Sequence, residues 1–228
     1  MSKRLDALVD MVSPGKIICD VGTDHGITAM KIYEEKDAKL VVATDISENS
    51  LQKLRDKLKG LDYNIITLVT DGIYELESYN PQEIIISGMG GFLISQIIAK
   101  GFKVARKADK LILQANNSLD KLRRFLIENS FEIIDEKIVF DDGIYYDIIV
   151  ASYEDGLVET YDKDYFYEYG KLIIEKKDPL LRDKLGHIKN DLESIRDNIK
   201  NINTESTLAR IAEIDKELKI IEEVEACL

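Results

Sequence analysis

Four short segments of this sequence carry acids, glycines or both: Asp20-Val21-Gly22-Thr23-Asp24-His25-Gly26, Asp45-Ile46, Asp71-Gly72 and Ser87-Gly88-Met89-Gly90-Gly91. Each follows a run of aliphatic residues. Glycine in such a turn lets backbone approach a ligand, and a helix starting just beyond it offers free N–H groups. The first segment departs from G-x-G-x-x-G, because Asp24 stands where a second glycine would be. A pyrophosphate would face that carboxylate, which argues against a nicotinamide dinucleotide. A cationic or zwitterionic ligand suits the turn, and the sulfonium and ammonium groups of S-adenosylmethionine fit. Asp45 can take both ribose hydroxyls of a nucleoside, or simply cap the next helix. Asp71-Gly72 can bind an adenine amino group, or form a plain Asp-Gly turn. One glycine satisfies a tight turn, so three within Gly88-Met89-Gly90-Gly91 favour close ligand approach.

The elements that must carry these segments follow from periodicity. β-Branched runs predict strands at 16–21, 40–45, 64–69, 83–87 and 110–114, and helical patterns fill 27–35, 48–58, 92–100 and 119–128. Ser47 and Ser118 stand at N-cap positions of two of these helices. Residues 131–140 and 144–152 read as two strands joined at Asp141-Asp142-Gly143, a hairpin signal. Strands alternating with helices imply an α/β fold with a parallel sheet covered on both faces. The last two strands lack an intervening helix, so one must run antiparallel. That places the chain in a Rossmann-like class I methyltransferase architecture, with the acids at the carboxyl ends of three successive strands. Beyond Pro179 an apolar seam runs through Leu181, Leu185, Ile188, Leu192, Ile195, Ile199 and Ile202, and a second through Leu208, Ile211, Ile214, Leu218, Ile221 and Val224. The short break between them predicts an antiparallel, coiled-coil-like helical hairpin. The expected domains are 1–155 for the catalytic sheet and 156–228 for the helical extension.

Composition narrows the setting. Lys plus Arg number 31 and Asp plus Glu 43, a net charge of −12 that argues against indiscriminate nucleic-acid binding. No aliphatic run approaches a membrane span, no signal peptide is visible, and Cys19 and Cys227 form no disulfide framework, so a cytoplasmic protein is expected. No metal-ligand cluster is evident. The charge is uneven. Between Lys100 and Arg124 eight basic residues, among them Arg106, Lys107, Arg123 and Arg124, face only Asp109 and Asp120. Lys53, Arg55, Lys57 and Lys59 form a second cluster. Each is either a solvated helix face or a phosphate-binding surface.

Segments 20–26, 68–72, 86–91, 111–117 and 143–151, with Lys3-Arg4-Leu5 and the helical extension, together resemble the bacterial tRNA (adenine-22-N1)-methyltransferase family (TrmK). The pairing of a G-[ST]-D-H turn with S/A-G-M-G-G is specific, whereas either part alone is not. The resemblance implies a cytoplasmic enzyme that moves a methyl group from S-adenosylmethionine to N1 of adenosine 22 in tRNA. It implies that Asp20, Gly22, Thr23, Asp24, His25, Asp45, Ile46, Asp71, Gly72, Gly88, Met89 and Gly90 hold the cofactor. Asp24, Asn116, Asn117 and Tyr146 would act on the base, with Asp24 serving either the developing charge or the cofactor's methionine moiety. Arg4, Arg106, Lys107, Arg123 and Arg124 would contact RNA, and the protein would be a monomer or weak dimer without metal. Two departures stand out: Gly26-Ile27-Thr28-Ala29 lacks the family's aromatic residue, and Gln114-Ala115-Asn116-Asn117 lacks its proline. Which asparagine matches the family's amide stays open. A methyltransferase acting on another RNA position, a small molecule or a protein, and a non-catalytic S-adenosylmethionine-binding module, are the competing classes.

Overall fold

Aliphatic runs that alternate with amphipathic segments become strands of one sheet. The computed structural model describes residues 2–23 and 25–228. In chain order the elements are α1 (Lys3–Asp10), β1 (Ile17–Val21), α2 (Ile27–Lys36), β2 (Leu40–Asp45), α3 (Glu48–Leu58), β3 (Ile65–Val69) and β4 (Glu83–Met89). Next come α4 (Gly91–Lys100), α5 (Phe102–Ala105), β5 (Lys110–Ala115), α6 (Leu119–Glu128), β6 (Phe131–Asp141) and β7 (Ile144–Tyr153). The chain ends with α7 (Asp164–Tyr169), α8 (Lys171–Glu175), α9 (Pro179–Ile199) and α10 (Glu205–Glu225). It divides into two units, Met1–Tyr161 and Asp162–Leu228.

Among the described residues the strands form a seven-stranded sheet in the order β3-β2-β1-β4-β5-β7-β6. The first five are parallel, and β7 lies antiparallel between β5 and β6. This is the Rossmann-like arrangement with a terminal hairpin that the missing last crossover demands. Ile18, Cys19, Ile84, Ile85, Ile86, Leu111, Ile112 and Leu113 are all 0% exposed, as central strands covered on both faces require. Strand order reverses between β1 and β4, which opens a crevice at the carboxyl edge. The register sets Val21 beside both Thr44 and Ile86, and Asp45 beside Val69, so the ends of four strands share that edge.

Several local expectations change. Ser47 does cap α3, accepting a hydrogen bond from Ser50 N at 3.3 Å. Ser118 does not cap α6: its backbone is left-handed, at φ 53°, and its side chain makes no capping bond. Helix α1 was not anticipated. It has eight residues, too few to persist alone, and is pinned by Asp141, whose Oδ2 accepts from Ser2 Oγ at 2.6 Å and Arg4 N at 3.1 Å. Those bonds hold the Asp141 carboxyl below its usual range.

In the second unit α9 packs on α10. The pairs Lys189–Glu225 (3.5 Å) and Arg196–Asp215 (3.1 Å) fix them antiparallel. Leu181, Leu185, Leu192, Ile214, Leu218, Ile221 and Val224 are buried, whereas Ile195, Ile202 and Leu208 are exposed, so the seam opens toward the turn.

Candidate active site

A cavity of about 560 Å³ lies at the carboxyl edge of the parallel strands. The β1 end supplies Asp20, Gly22 and Thr23, the β2 end Thr44, Asp45 and Ile46, and the β3 end Thr70, Asp71 and Gly72. The β4 end supplies Ser87, Gly88 and Met89, α1 brings Arg4 and Leu5, and Ile27, Thr28, Leu93 and Ile97 line the remaining wall.

The β1 turn is tightly determined. Gly22 adopts φ 73°, and its N–H and that of Thr23 donate to Thr44 O at 2.8 and 3.0 Å. The left-handed backbone favours glycine at this position, and a Cβ on Gly22 would also push aside the Met89 Cε that lies against it. Asp20 is buried and accepts from Thr23 Oγ1 at 2.5 Å. Burial pushes its carboxyl up to about 6, with the charge of Asp45 adding to the rise, against the lowering effect of hydrogen bonds from Thr23 and the Ala29 backbone.

Asp45 lines the cavity while its Oδ1 accepts from Ser47 N at 2.7 Å, so one carboxylate serves both the turn into α3 and the cavity wall. Asp71 pairs with Lys100 at 2.7 Å. Thr44 and Thr70 are buried, and both line the cavity. Acids at the β2 and β3 ends and a glycine-bordered β4 end fit an adenosyl amino acid such as S-adenosylmethionine.

The β4 loop is braced by amides. Gln114 is fully buried, and its Oε1 accepts from Arg4 Nη1 at 2.6 Å and Gly88 N at 3.1 Å. Its Nε2 donates to Asn116 Oδ1 at 3.0 Å, and Asn116 Nδ2 donates to Gly88 O at 2.8 Å. Asn116 N also donates to Met89 O at 2.8 Å, and Gly91 N to Asn117 O at 3.0 Å. Asn116 therefore engages two carbonyls of the loop, those of Gly88 and Met89. The three glycines also divide in purpose: Gly88 lines the cavity, whereas a side chain on Gly91 would strike the Ser118 backbone. Gly90 faces Asn117, whose Oδ1 would lie 3.0 Å from a Cβ there. Gln114 was missed as a site residue; its signal was a buried polar side chain at the end of an aliphatic strand.

The remaining candidates scatter. Asp24 lies outside the described residues. His25 is not a cavity residue; its Nε2 is 3.4 Å from Lys53 Nζ and its carbonyl accepts from Lys57 Nζ at 2.8 Å. Tyr146 lies beneath Arg4, with Arg4 Cζ 5.3 Å from the ring centre. Arg4, expected on the RNA side, lines the cavity instead.

Arg123 is a correction. It is 0% exposed, with Nε 2.7 Å from Glu136 Oε1 and Nη2 3.2 Å from Asp147 Oδ2, and both partners are equally buried. A guanidinium sealed between two carboxylates has no surface for phosphate. Arg106 and Lys107 are exposed and Arg124 half-buried. In the second basic cluster Arg55 pairs with Glu48, Lys59 with Asp56, and Lys57 with the His25 carbonyl, as a self-satisfied helix face does.

Among the described residues no helix is long and apolar enough to cross a membrane, and no cluster of His, Cys, Asp or Glu could hold a metal ion. The sequence profile described as "Methyltransferase domain" matches residues 1–149. The tRNA (adenine(22)-N(1))-methyltransferase of Bacillus subtilis is 25% identical over 236 aligned residues, spanning 98% of this chain and 96% of that protein. The crystal structure of the Bacillus subtilis enzyme, TrmK, matches with a TM-score of 0.82 at 24% identity, covering 98% of each chain. A Streptococcus pneumoniae protein, Sp1610, in complex with S-adenosyl-L-methionine matches with a TM-score of 0.83 at 26% identity, covering 98% of this chain and 99% of that one.

Proposed function

The chain belongs to the methyltransferase-domain family, and on that footing we propose that it methylates N1 of an adenosine in tRNA, with S-adenosylmethionine as donor. Position 22 is proposed from the likeness to the Bacillus subtilis enzyme, which extends through the helical unit as well as the sheet. A tRNA substrate makes the cytoplasm its working compartment. The observation that carries the reading is the cavity itself. Three strand-end acids and a glycine-bordered β4 loop meet at one edge.

When bound, the cofactor supplies an electrophilic methyl group on a cationic sulfur, and transfer moves that positive charge onto the adenine ring. Adenine N1 carries an in-plane lone pair, so no side chain has to remove a proton before attack. The protein's task is to present an unpaired base, align it and exclude water. Asp45 serves the ribose, and Asp71 with Gly72 borders the adenine of the cofactor. Asn116 braces the β4 loop through Gly88 O and Met89 O, so it acts as a positioning residue. Asn117 is then the amide assigned to the target base edge. Tyr146 backs Arg4, and its place in the reaction is positional. Asp24 is proposed to stabilise the cationic product. Exposed Arg106 and Lys107, with Arg124, would carry the RNA phosphates, which makes tRNA binding salt-sensitive.

Transfer of labelled methyl from S-adenosylmethionine into unmodified tRNA, with the modified position mapped, tests the reading. Incorporation at N1 of A22, abolished by replacing that nucleotide, supports it. Folded protein that binds cofactor but labels no tRNA overturns it in favour of another substrate class or a non-catalytic module. The same assay tests Asp24, since Asp24→Ala should lower turnover far more than stability.

A further inference from the structure

Arg4 enters the cavity from α1 as the one cation among its described lining residues, opposite three acids, Asp20, Asp45 and Asp71. Its recorded side-chain neighbours are neutral: Nη1 donates to Gln114 Oε1 at 2.6 Å, and the guanidinium lies over the Tyr146 ring. A guanidinium has five N–H donors, and one contact to an amide leaves most of that fork for a ligand.

The position is built. Asp141 tethers the start of α1 through Ser2 Oγ and Arg4 N, and the fully buried Gln114 receives the guanidinium while holding Gly88 N on the same oxygen. A Cβ on Gly88 would sit 3.8 Å from Arg4 Nη1, so the cation lies against the β4 loop. In the strand order β3-β2-β1-β4, Asp71 and Asp45 occupy one end of the edge and the Gly88 loop with Arg4 the other. Adjacent strands are about 4.8 Å apart, so three steps separate these ends by about 14 Å.

We propose that Arg4 binds the amino-acid carboxylate of S-adenosylmethionine and is not an RNA-phosphate contact. This rests on the methyltransferase reading above. Acids toward the β3 end suit the nucleoside hydroxyls and amino group. A lone guanidinium at the β4 end suits an anion, and the carboxylate is the one anionic group of that ligand. A flat fork resting on an aromatic ring matches a carboxylate in a way lysine cannot.

The test is equilibrium binding of S-adenosylmethionine and of its decarboxylated analogue to wild-type protein, Arg4→Gln and Arg4→Lys, with tRNA affinity measured in parallel. Wild type should prefer the carboxylate-bearing ligand by about 10- to 100-fold, the usual worth of a charge-assisted pair. Arg4→Gln should erase that preference by weakening S-adenosylmethionine alone, Arg4→Lys should restore only part of it, and tRNA affinity should hold within about twofold. Three results overturn the assignment: equal wild-type affinity for the two ligands, equal weakening of both by Arg4→Gln, or lost tRNA affinity with cofactor binding intact. Wild-type protein that binds neither ligand overturns the methyltransferase reading itself, an outcome distinct from those three.

Discussion

Replacing Asp20 with asparagine should make the ligand-free protein more stable while weakening its site. Burial lifts this carboxyl from 3.8 to about 6, despite the hydrogen bond from Thr23 at 2.5 Å. A shift of about 2 units corresponds to about 3 kcal/mol of strain from keeping the group ionised above pH 7. Because the folded-state value is raised, the native protein binds the proton more readily than the unfolded chain does. Stability from this site therefore rises as pH falls through about 6 toward 4, and is lowest at pH 7 and above. Asparagine removes the charge and keeps an oxygen for Thr23, but brings two N–H donors that must be satisfied at a cost of about 1 kcal/mol. The expected net gain at pH 7.5 is about 2 kcal/mol, or about 4 to 8 °C in the melting midpoint for a unit of this size. By pH 5 most of the wild-type carboxyl is protonated, about half of the strain is relieved, and the net advantage should shrink to about 0.6 kcal/mol. S-Adenosylmethionine affinity should fall, because a cationic ligand loses a negative partner. Thermal melts of ligand-free wild type and Asp20→Asn at both pH values provide the measurement. A less stable variant at pH 7.5, or an advantage that ignores pH, would refute the reasoning that burial dominates at Asp20.

Other perturbations follow from single contacts. Arg123→Met should cost about 3–5 kcal/mol, since it removes the buried cation that both Glu136 and Asp147 contact; a loss below about 1 kcal/mol in denaturant unfolding would contradict that. Gly22→Ala places a side chain at φ 73° and against Met89, so cofactor affinity should drop by at least about tenfold in equilibrium binding. Asn116→Ala releases the Gly88 carbonyl and should lower kcat more than cofactor affinity, as single-turnover and binding measurements would separate. Arg106→Glu should weaken tRNA binding and flatten its salt dependence by about one unit of slope without altering cofactor affinity.

Much of the fold was legible because it depends on local pattern. Strand β2 and helices α3 and α6 lie where aliphatic runs and helical spacing put them, and the absent helix between the last two strands required an antiparallel hairpin. The antiparallel α9–α10 pair was legible from its heptads and short break. Helix α1 was not, because its eight residues owe their order to burial of Leu8 and Val9 in the core and to Asp141, far along the chain on β6. Arg123 misled for a related reason. In Lys121-Leu122-Arg123-Arg124 it looks like part of a solvated basic face. Its partners sit 13 and 24 residues away, on strands whose facing positions only the folded hairpin brings under α6.

By itself, the sequence determined which residue types end each strand, and hence the acids and glycines at the cavity's edge, since alternation and turn chemistry act over a few neighbours. Tertiary structure alone decided which of the other polar residues share that edge. It brought together Arg4 and Gln114, 110 residues apart in the chain, engaged Asn116 with the β4 carbonyls, and withdrew Arg123 into the core. Hydrogen bonds and ion pairs between distant segments leave no periodic trace in the chain, because their partners meet only after the sheet has closed around them.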